Sequence, residues 1–170
     1  MELWDVYDAG RGLTGKLHRR GDPMAQGQYH LIVFVWVFNG RGDVLLTKRA
    51  PEKEHFPNLW ENTGGSALAG ETALQAIRRE LFEETGIAAD ESEFTWLSSF
   101  REHSAFCDIF ALVKDVPCTV LTMQPGETCD ARWVTRGELE QMIAEGLVAA
   151  PDVRRLRQLG DSLEPYFQTK

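Results

Sequence analysis

Cysteine is scarce in this chain of 170 residues: Cys107, Cys118 and Cys129 are odd in number and show no CxxC spacing. That argues against a disulfide framework or a cysteine-based zinc cluster and points to reduced thiols with core or surface roles. Long apolar runs are missing too. The longest, Leu31 to Phe38, has eight residues, which is strand length and well short of the roughly twenty that cross a bilayer as a helix. Positive charge is outnumbered, with 18 Lys and Arg against 26 Asp and Glu for a net charge of −8, so no basic surface argues for duplex nucleic acid or anionic lipid. The start, Met1-Glu2-Leu3-Trp4-Asp5, lacks both the basic region and the apolar core of a signal peptide. The expectation is a cytoplasmic protein that binds no membrane. His18, His30, His55 and His103 are scattered, with no pair at a metal-ligand spacing on one helix. There is no internal repeat and no low-complexity segment.

What is present in quantity is acid, and it is concentrated. A hydrophobic content of 43 % suits one domain with a real core. Within Arg79-Glu80-Leu81-Phe82-Glu83-Glu84-Thr85-Gly86-Ile87, helical periodicity puts Glu80, Glu83 and Glu84 within roughly 100° of one side, next to an apolar stripe of Leu74, Ile77 and Leu81. On helix energetics alone this is unfavourable. Glu80 and Glu84 are like charges at i,i+4, and Gly86 reads as the residue after the helix end, where carboxylates oppose the macrodipole. Arg78 and Arg79 can supply counter-charge, as on any solvated face, and a cation from outside the chain is the alternative that the motif described below favours. Clustered carboxylates are hard oxygen ligands suited to Mg²⁺ or Mn²⁺, and magnesium commonly takes its remaining ligands from substrate phosphates. Upstream, Gly64-Gly65 forms a turn without side chains, and Gly70-Glu71-Thr72 opens a helix running to Thr85.

Gly65, five residues, Glu71, seven residues and then Arg79 to Ile87 resemble the Nudix box at every defined position. The segment Trp4 to Gly21 is similar to the entry segment of the Nudix subgroup named for isopentenyl diphosphate isomerase. The resemblance implies an α/β/α sandwich with a central mixed sheet and one Nudix domain over 1–170. Within it lie an N-terminal hairpin and linker at 1–28, the box at 65–87 and a C-terminal helix at 151–170. It implies metal held by Glu80, Glu83, Glu84 and the Gly64 carbonyl, with Glu71 and Arg79 bracing the loop against the helix. The expected reaction is Mg²⁺-dependent hydrolysis of a diphosphate linkage in a nucleoside di- or triphosphate or a nucleoside diphosphate derivative. A small-molecule diphosphate is the expected partner; a homodimer is left open.

The rest of the chain reads as follows. Leu3 to Asp8 and Thr14 to Arg19 form a hairpin. Tyr29 to Phe38 is a strand buried on both sides, returning through Asn39 to Asp43 as Val44 to Lys48, so that a hairpin sits at the centre of the sheet. Trp60 to Thr63 is one short strand, Phe94 to Arg101 and Ala105 to Val113 are paired strands, and Gly137 to Glu145 and Asp152 to Phe167 are helices. Arg49 and Lys53, just before the box, are candidate phosphate contacts or ordinary surface charge. Glu127 is the best acid outside the box, with Asp130 as its competitor, and Glu83 and Glu127 are joint candidates for the general base. Trp36, Trp60 and Phe106 are read as core before base-stacking groups. Two rivals remain. Isopentenyl diphosphate isomerases of this resemblance use a cysteine just before the box helix with a metal-binding histidine two residues on, and Glu61 to Ala67 contains neither. A non-catalytic nucleotide-binding Nudix protein would often have lost part of the acid set, which here is whole.

Overall fold

In the computed structural model, which describes residues 1–168, the chain opens with an antiparallel hairpin of β1 (Leu3–Tyr7) and β2 (Leu13–Arg19). β3 (His30–Phe38) and β4 (Val44–Arg49) follow, then two short strands, β5 (Trp60–Glu61) and β6 (Thr63–Ser66), and the helix α1 (Ala73–Thr85). β7 (Thr95–Glu102), β8 (Ala105–Val113) and β9 (Thr128–Val134) complete the strands, and α2 (Arg136–Ala144), α3 (Ala150–Leu159) and α4 (Glu164–Phe167) close the chain. The main sheet runs β5-β4-β3-β8-β7, with β6 also on β3 and β9 also on β4. β3 and β8 are parallel and the other pairs antiparallel, so the sheet is mixed.

Strand alternation explains the layers. Leu31, Val33, Val35 and Val37 of β3 face a core shared with Ala76, Ile77 and Leu81 of α1, while Trp36 and Phe38 face a second core shared with Leu139 and Met142 of α2 and Leu159 of α3. Both faces of β3 are therefore covered, giving the expected α/β/α sandwich. Trp36, Trp60 and Phe106 are all buried.

Two expectations need correction. The central hairpin forms, with β3 and β4 antiparallel neighbours in the sheet, but it is short: Phe38 and Val44 are its one matched pair among the described residues. Beyond it β3 pairs with β6 and β4 with β9 and β5, which satisfies both backbones better than a splayed hairpin could. Trp60 to Thr63 is accordingly two strands rather than one. Trp60 and Glu61 pair with β4; the chain then crosses at Asn62, whose buried Nδ2 donates to the Val35 carbonyl at 3.3 Å, and Thr63 to Ser66 pair with β3. This crossing sets the box loop in the gap between diverging strands.

The second is the C-terminal helix. It breaks at Gly160, where φ is +53° and ψ −126°, a conformation open to glycine, and resumes through a 3₁₀ turn into α4, which has a proline in its first turn. Thr169 and Lys170, the end of the stretch expected at 151–170, lie outside the described residues.

α3 is held by charge as well as apolar packing. Arg155 donates to Glu102 on β7 at 2.8 Å and lies 3.9 Å over the Phe34 ring, while Asp152 is buried with Oδ1 lacking a hydrogen-bond partner among the described residues. Burial, and next the charge of Glu61, push the Asp152 carboxyl from 3.8 up to about 7, with Arg155 opposing. The folded chain thus keeps a proton that the unfolded chain releases near pH 4, so stability falls as pH rises from about 4 to about 7. Asp152→Asn removes this component. Between pH 5 and pH 8, without divalent metal, the melting temperature of the variant should fall by roughly 5 °C less than that of the parent. Parallel melting curves for the two proteins would refute the assignment.

Candidate functional site

α1 is built to hold its carboxylates rigidly. Thr72 caps its start through a capping box with Gln75, and Gly86 ends it with φ +75° while its amide donates to the Phe82 carbonyl at 2.8 Å. Ile77 and Leu81 anchor one face in the core, so the adjoining face is fixed. The loop before it is clamped by Arg79. This guanidinium donates to both oxygens of Glu71 at 2.8 and 2.9 Å and to the Ser66 carbonyl at 3.0 Å, and Glu71 in turn accepts from the Leu68 amide at 2.8 Å. Burial alone would raise the Glu71 carboxyl, but the Arg79 fork and the Leu68 amide outweigh it and hold it below the ordinary range. The brace expected of Glu71 and Arg79 is thus in place. Arg78 plays no part in it: it donates to the Ala89 carbonyl and pairs with Glu91.

A cleft of about 240 Å³ opens beside α1, and Arg49, Lys53, Gly64, Glu80, Glu83, Glu84 and Glu127 all line it. The seven residues singled out in the sequence therefore meet in one place. Asp130 does not join them; it is exposed on β9, opposite Lys48, with Oδ1 accepting from the Ala131 amide. Glu127 is carried in by the loop before β9, which Thr128 ties to the end of α1 through a 3.2 Å bond from its hydroxyl to the Glu84 carbonyl. The backbone also meets β4 there, the Ala50 amide donating to the Glu127 carbonyl at 2.9 Å.

Charge compensation within the cleft is uneven. Arg79 also donates to Glu80 at 2.9 Å and to Glu83 at 3.1 Å; Lys53 pairs with Glu127, and Arg49 with Glu61 at 2.7 Å. Glu84 has no such partner among the described residues. It is 8 % exposed, its Oε2 accepts no hydrogen bond, and its carboxyl is pushed well above the ordinary range by burial first and then by the charges of Glu61, Glu80 and Glu127, against a small opposing contribution from the Gly64 amide. Burial, before the influence of Glu83, also raises Glu80, while Arg79 opposes.

Among the described residues, no three His, Cys, Asp or Glu side chains are arranged to hold a metal ion as they stand. The outer carboxylates turn instead to Arg79 and Lys53. The donor set nonetheless fits a hard divalent cation: the acids offer oxygen alone, and Glu84 presents an uncompensated buried carboxylate at the centre. Gly65 leaves the space that this crowding needs, since a Cβ there would collide with the Glu80 carboxylate.

Sequence reasoning missed three acidic or basic contributors. Glu61 on β5 acts on Glu84 through its charge, and a charge on the strand entering a Gly-Gly turn was a usable signal. Glu2 and Arg20, at the open end of the β1–β2 hairpin, also line the cleft, and nothing local in the sequence indicates it.

The family model described as NUDIX domain matches residues 28–155. An uncharacterized Nudix hydrolase of Listeria monocytogenes is 44 % identical over 147 residues, 86 % of this chain and 87 % of its own. An isopentenyl-diphosphate Delta-isomerase of Pectobacterium atrosepticum is 41 % identical over 136 residues, covering 75 % and 73 %. Among solved structures, DR0079 from Deinococcus radiodurans superposes with a TM-score of 0.76 at 25 % identity, over 98 % of this chain and all of that one.

Proposed function

The chain belongs to the Nudix hydrolase family, and on that premise we propose that it cleaves the diphosphate linkage of a nucleoside di- or triphosphate, or of a nucleoside diphosphate derivative, with Mg²⁺ or Mn²⁺. The observation that carries this reading is the buried, unpartnered Glu84 oxygen in a cleft lined by Glu80, Glu83 and Glu127. Glu80, Glu83 and Glu84, with the Gly64 carbonyl, would hold the cation. When bound, such an ion neutralises phosphate charge and lowers the pKa of water.

The chain's own residues supply the remaining steps. Arg49, the last residue of β4, and Lys53, in the loop that follows, approach the phosphates. Water attacks one phosphorus in line, a P–O bond forms as the bridging P–O bond breaks, and a glutamate accepts the proton. Glu127 suits that role better than Glu83. Lys53, its present partner, is a single flexible cation that an incoming phosphate can draw away, whereas Arg79 keeps Glu83 paired while its other donors grip Glu71 and Ser66. Glu127→Gln should lower kcat by about 100-fold with Mg²⁺ affinity unchanged. An equal loss of both in a metal titration would make Glu127 a ligand, and an unaltered kcat would remove it from the chemistry.

The similarity to an isomerase favours a second reading, but the residues do not. Cys107, the thiol nearest the box in sequence, sits on the face of the sheet away from α1, fully buried, with burial pushing it up to about 12, and the exposed Cys129 is turned to the Arg49 carbonyl at 3.5 Å, on β9 rather than on the strand before the box helix. A screen of nucleoside di- and triphosphates, sugar nucleotides, dinucleotide polyphosphates, coenzyme A and isopentenyl diphosphate, with and without Mg²⁺, tests both. Metal-dependent cleavage of a diphosphate linkage into its two phosphorylated products supports hydrolysis; isomerised isopentenyl diphosphate with no cleavage of any substrate overturns it.

A further inference from the structure

The β1–β2 hairpin precedes the residues matched by the family model, yet it delivers a pair of opposite charges into the cleft. Arg20 donates through NH1 to Glu2 Oε2 at 2.7 Å, and the Arg20 amide donates to the Glu2 carbonyl at 3.1 Å, closing the hairpin's open end. Both side chains line the cleft that holds Glu80, Glu84 and Glu127.

Their position is fixed by contacts with the box loop itself. The Gly70 amide donates to Asp5 Oδ2 at 2.7 Å and the Ala69 amide to the Leu3 carbonyl at 2.8 Å, while Tyr7 and Tyr29 exchange backbone bonds at 2.7 and 2.9 Å. At the far end Arg11 pairs with buried Asp108 and donates to Ser99 at 2.7 Å. The hairpin is therefore a built wall of the site.

The cations of the cleft differ in what they have left to offer. Arg79 is engaged with three carboxylates and a carbonyl; Arg49 holds Glu61 and the His55 carbonyl; Lys53 holds Glu127. Among the described residues Arg20 has one side-chain partner, Glu2, and its side chain is 56 % exposed, as Glu2's is 44 %. Most of its fork is uncommitted, and an anion approaching along the hairpin wall meets it first.

We propose that Arg20 binds a phosphate of the substrate and that Glu2 is its internal competitor, holding the guanidinium when no anion is present and yielding it when a diphosphate enters. The inference rests on reading the cleft as a diphosphate site. A guanidinium grips a phosphate through two parallel hydrogen bonds, and a phosphate carries more charge than the single carboxylate it displaces. Its hydrogen bond to Glu2, with Glu127 and Glu80 nearby, keeps Arg20 protonated at any working pH.

Calorimetric titration with imidodiphosphate, a diphosphate that resists hydrolysis, in the presence of Mg²⁺ decides the matter. Arg20→Gln should weaken binding about tenfold, Arg20→Lys should fall between it and the parent, and Glu2→Gln should tighten binding about threefold. Glu2→Gln placed in the Arg20→Gln background should change nothing, whereas a general loss of negative charge would tighten binding in both. Arg19→Gln, whose guanidinium is paired outside the cleft with Asp22, serves as the control and should bind as the parent does. Parent-like binding by Arg20→Gln, or tightening by Glu2→Gln that persists without Arg20, overturns the pair and leaves the diphosphate reading intact. A parent protein that fails to bind imidodiphosphate overturns both.

Discussion

Glu84→Gln is expected to lower Mg²⁺-dependent phosphate release by about 1000-fold while raising the melting temperature of the metal-free protein at pH 8. The two signs have one cause. Glu84 is buried, its Oε2 accepts nothing, and Glu61, Glu80 and Glu127 all raise its carboxyl. Without a divalent cation, ionising it costs folding free energy. A group whose folded pKa lies above its unfolded one makes stability fall as pH rises beyond the unfolded value. A glutamine of the same shape carries no charge to desolvate and offers an amide donor to a surrounding shell of acceptors. With Mg²⁺ the order reverses. Metal that binds the folded chain stabilises the parent by mass action, and the variant should lose most of that rise. Melting curves at pH 8 with EDTA and with saturating Mg²⁺, beside turnover, check all three statements. A variant that turns over like the parent, or that melts lower in EDTA, would show that Glu84 is a satisfied structural acid.

The contrast between Glu84 and its neighbours also marks where sequence reading stopped. α1 was legible from Thr72 to Gly86, because a capping residue, an apolar stripe and a terminal glycine are local signals that packing had no reason to override. The same reasoning placed the three acids on one face but could not rank them, since rank depends on which cation reaches which carboxylate. Arg79 is adjacent in sequence, yet Lys53 and Glu127 come from loops far apart, and neither announces the other. β3 was equally plain from its composition, whereas its divergence from β4 was not. Hairpin signals describe the turn at Asn39 to Asp43, and the partners that pull the strands apart arrive later, in β6 and β9. The break at Gly160 was visible as a glycine, but a glycine inside a helical pattern is often tolerated, and only the packing of α3 and α4 decided it. Arg20 and Glu2 had no local signal, because their relevance comes from the contacts that press the hairpin against the box loop.

The Gly-Gly turn separates scaffold from chemistry in adjacent residues. Neither Gly64 nor Gly65 has a positive φ, so each is required for space rather than for backbone freedom. A Cβ on Gly64 would strike the Val33 carbonyl and the Phe34 ring, on the strand paired with β6. Neither can retreat: β3 is central to the sheet, and Arg155 covers the ring at 3.9 Å. Gly64→Ala should therefore cost about 3 kcal/mol in urea denaturation, as overpacking of a core commonly does. A Cβ on Gly65 would instead strike the Glu80 carboxylate. That is the tip of a side chain, which can rotate at the expense of its 2.9 Å bond to Arg79. Gly65→Ala should fold nearly as stably as the parent yet lose about 100-fold in Mg²⁺-dependent turnover, because one of the proposed ligands is displaced. The two variants differ by one methyl group each on neighbouring residues, so composition and charge cannot account for opposite outcomes. Equal losses of stability would mean that Glu80 is as rigidly built in as the β3 backbone, and a fully active Gly65→Ala would remove Glu80 from the proposed metal ligands.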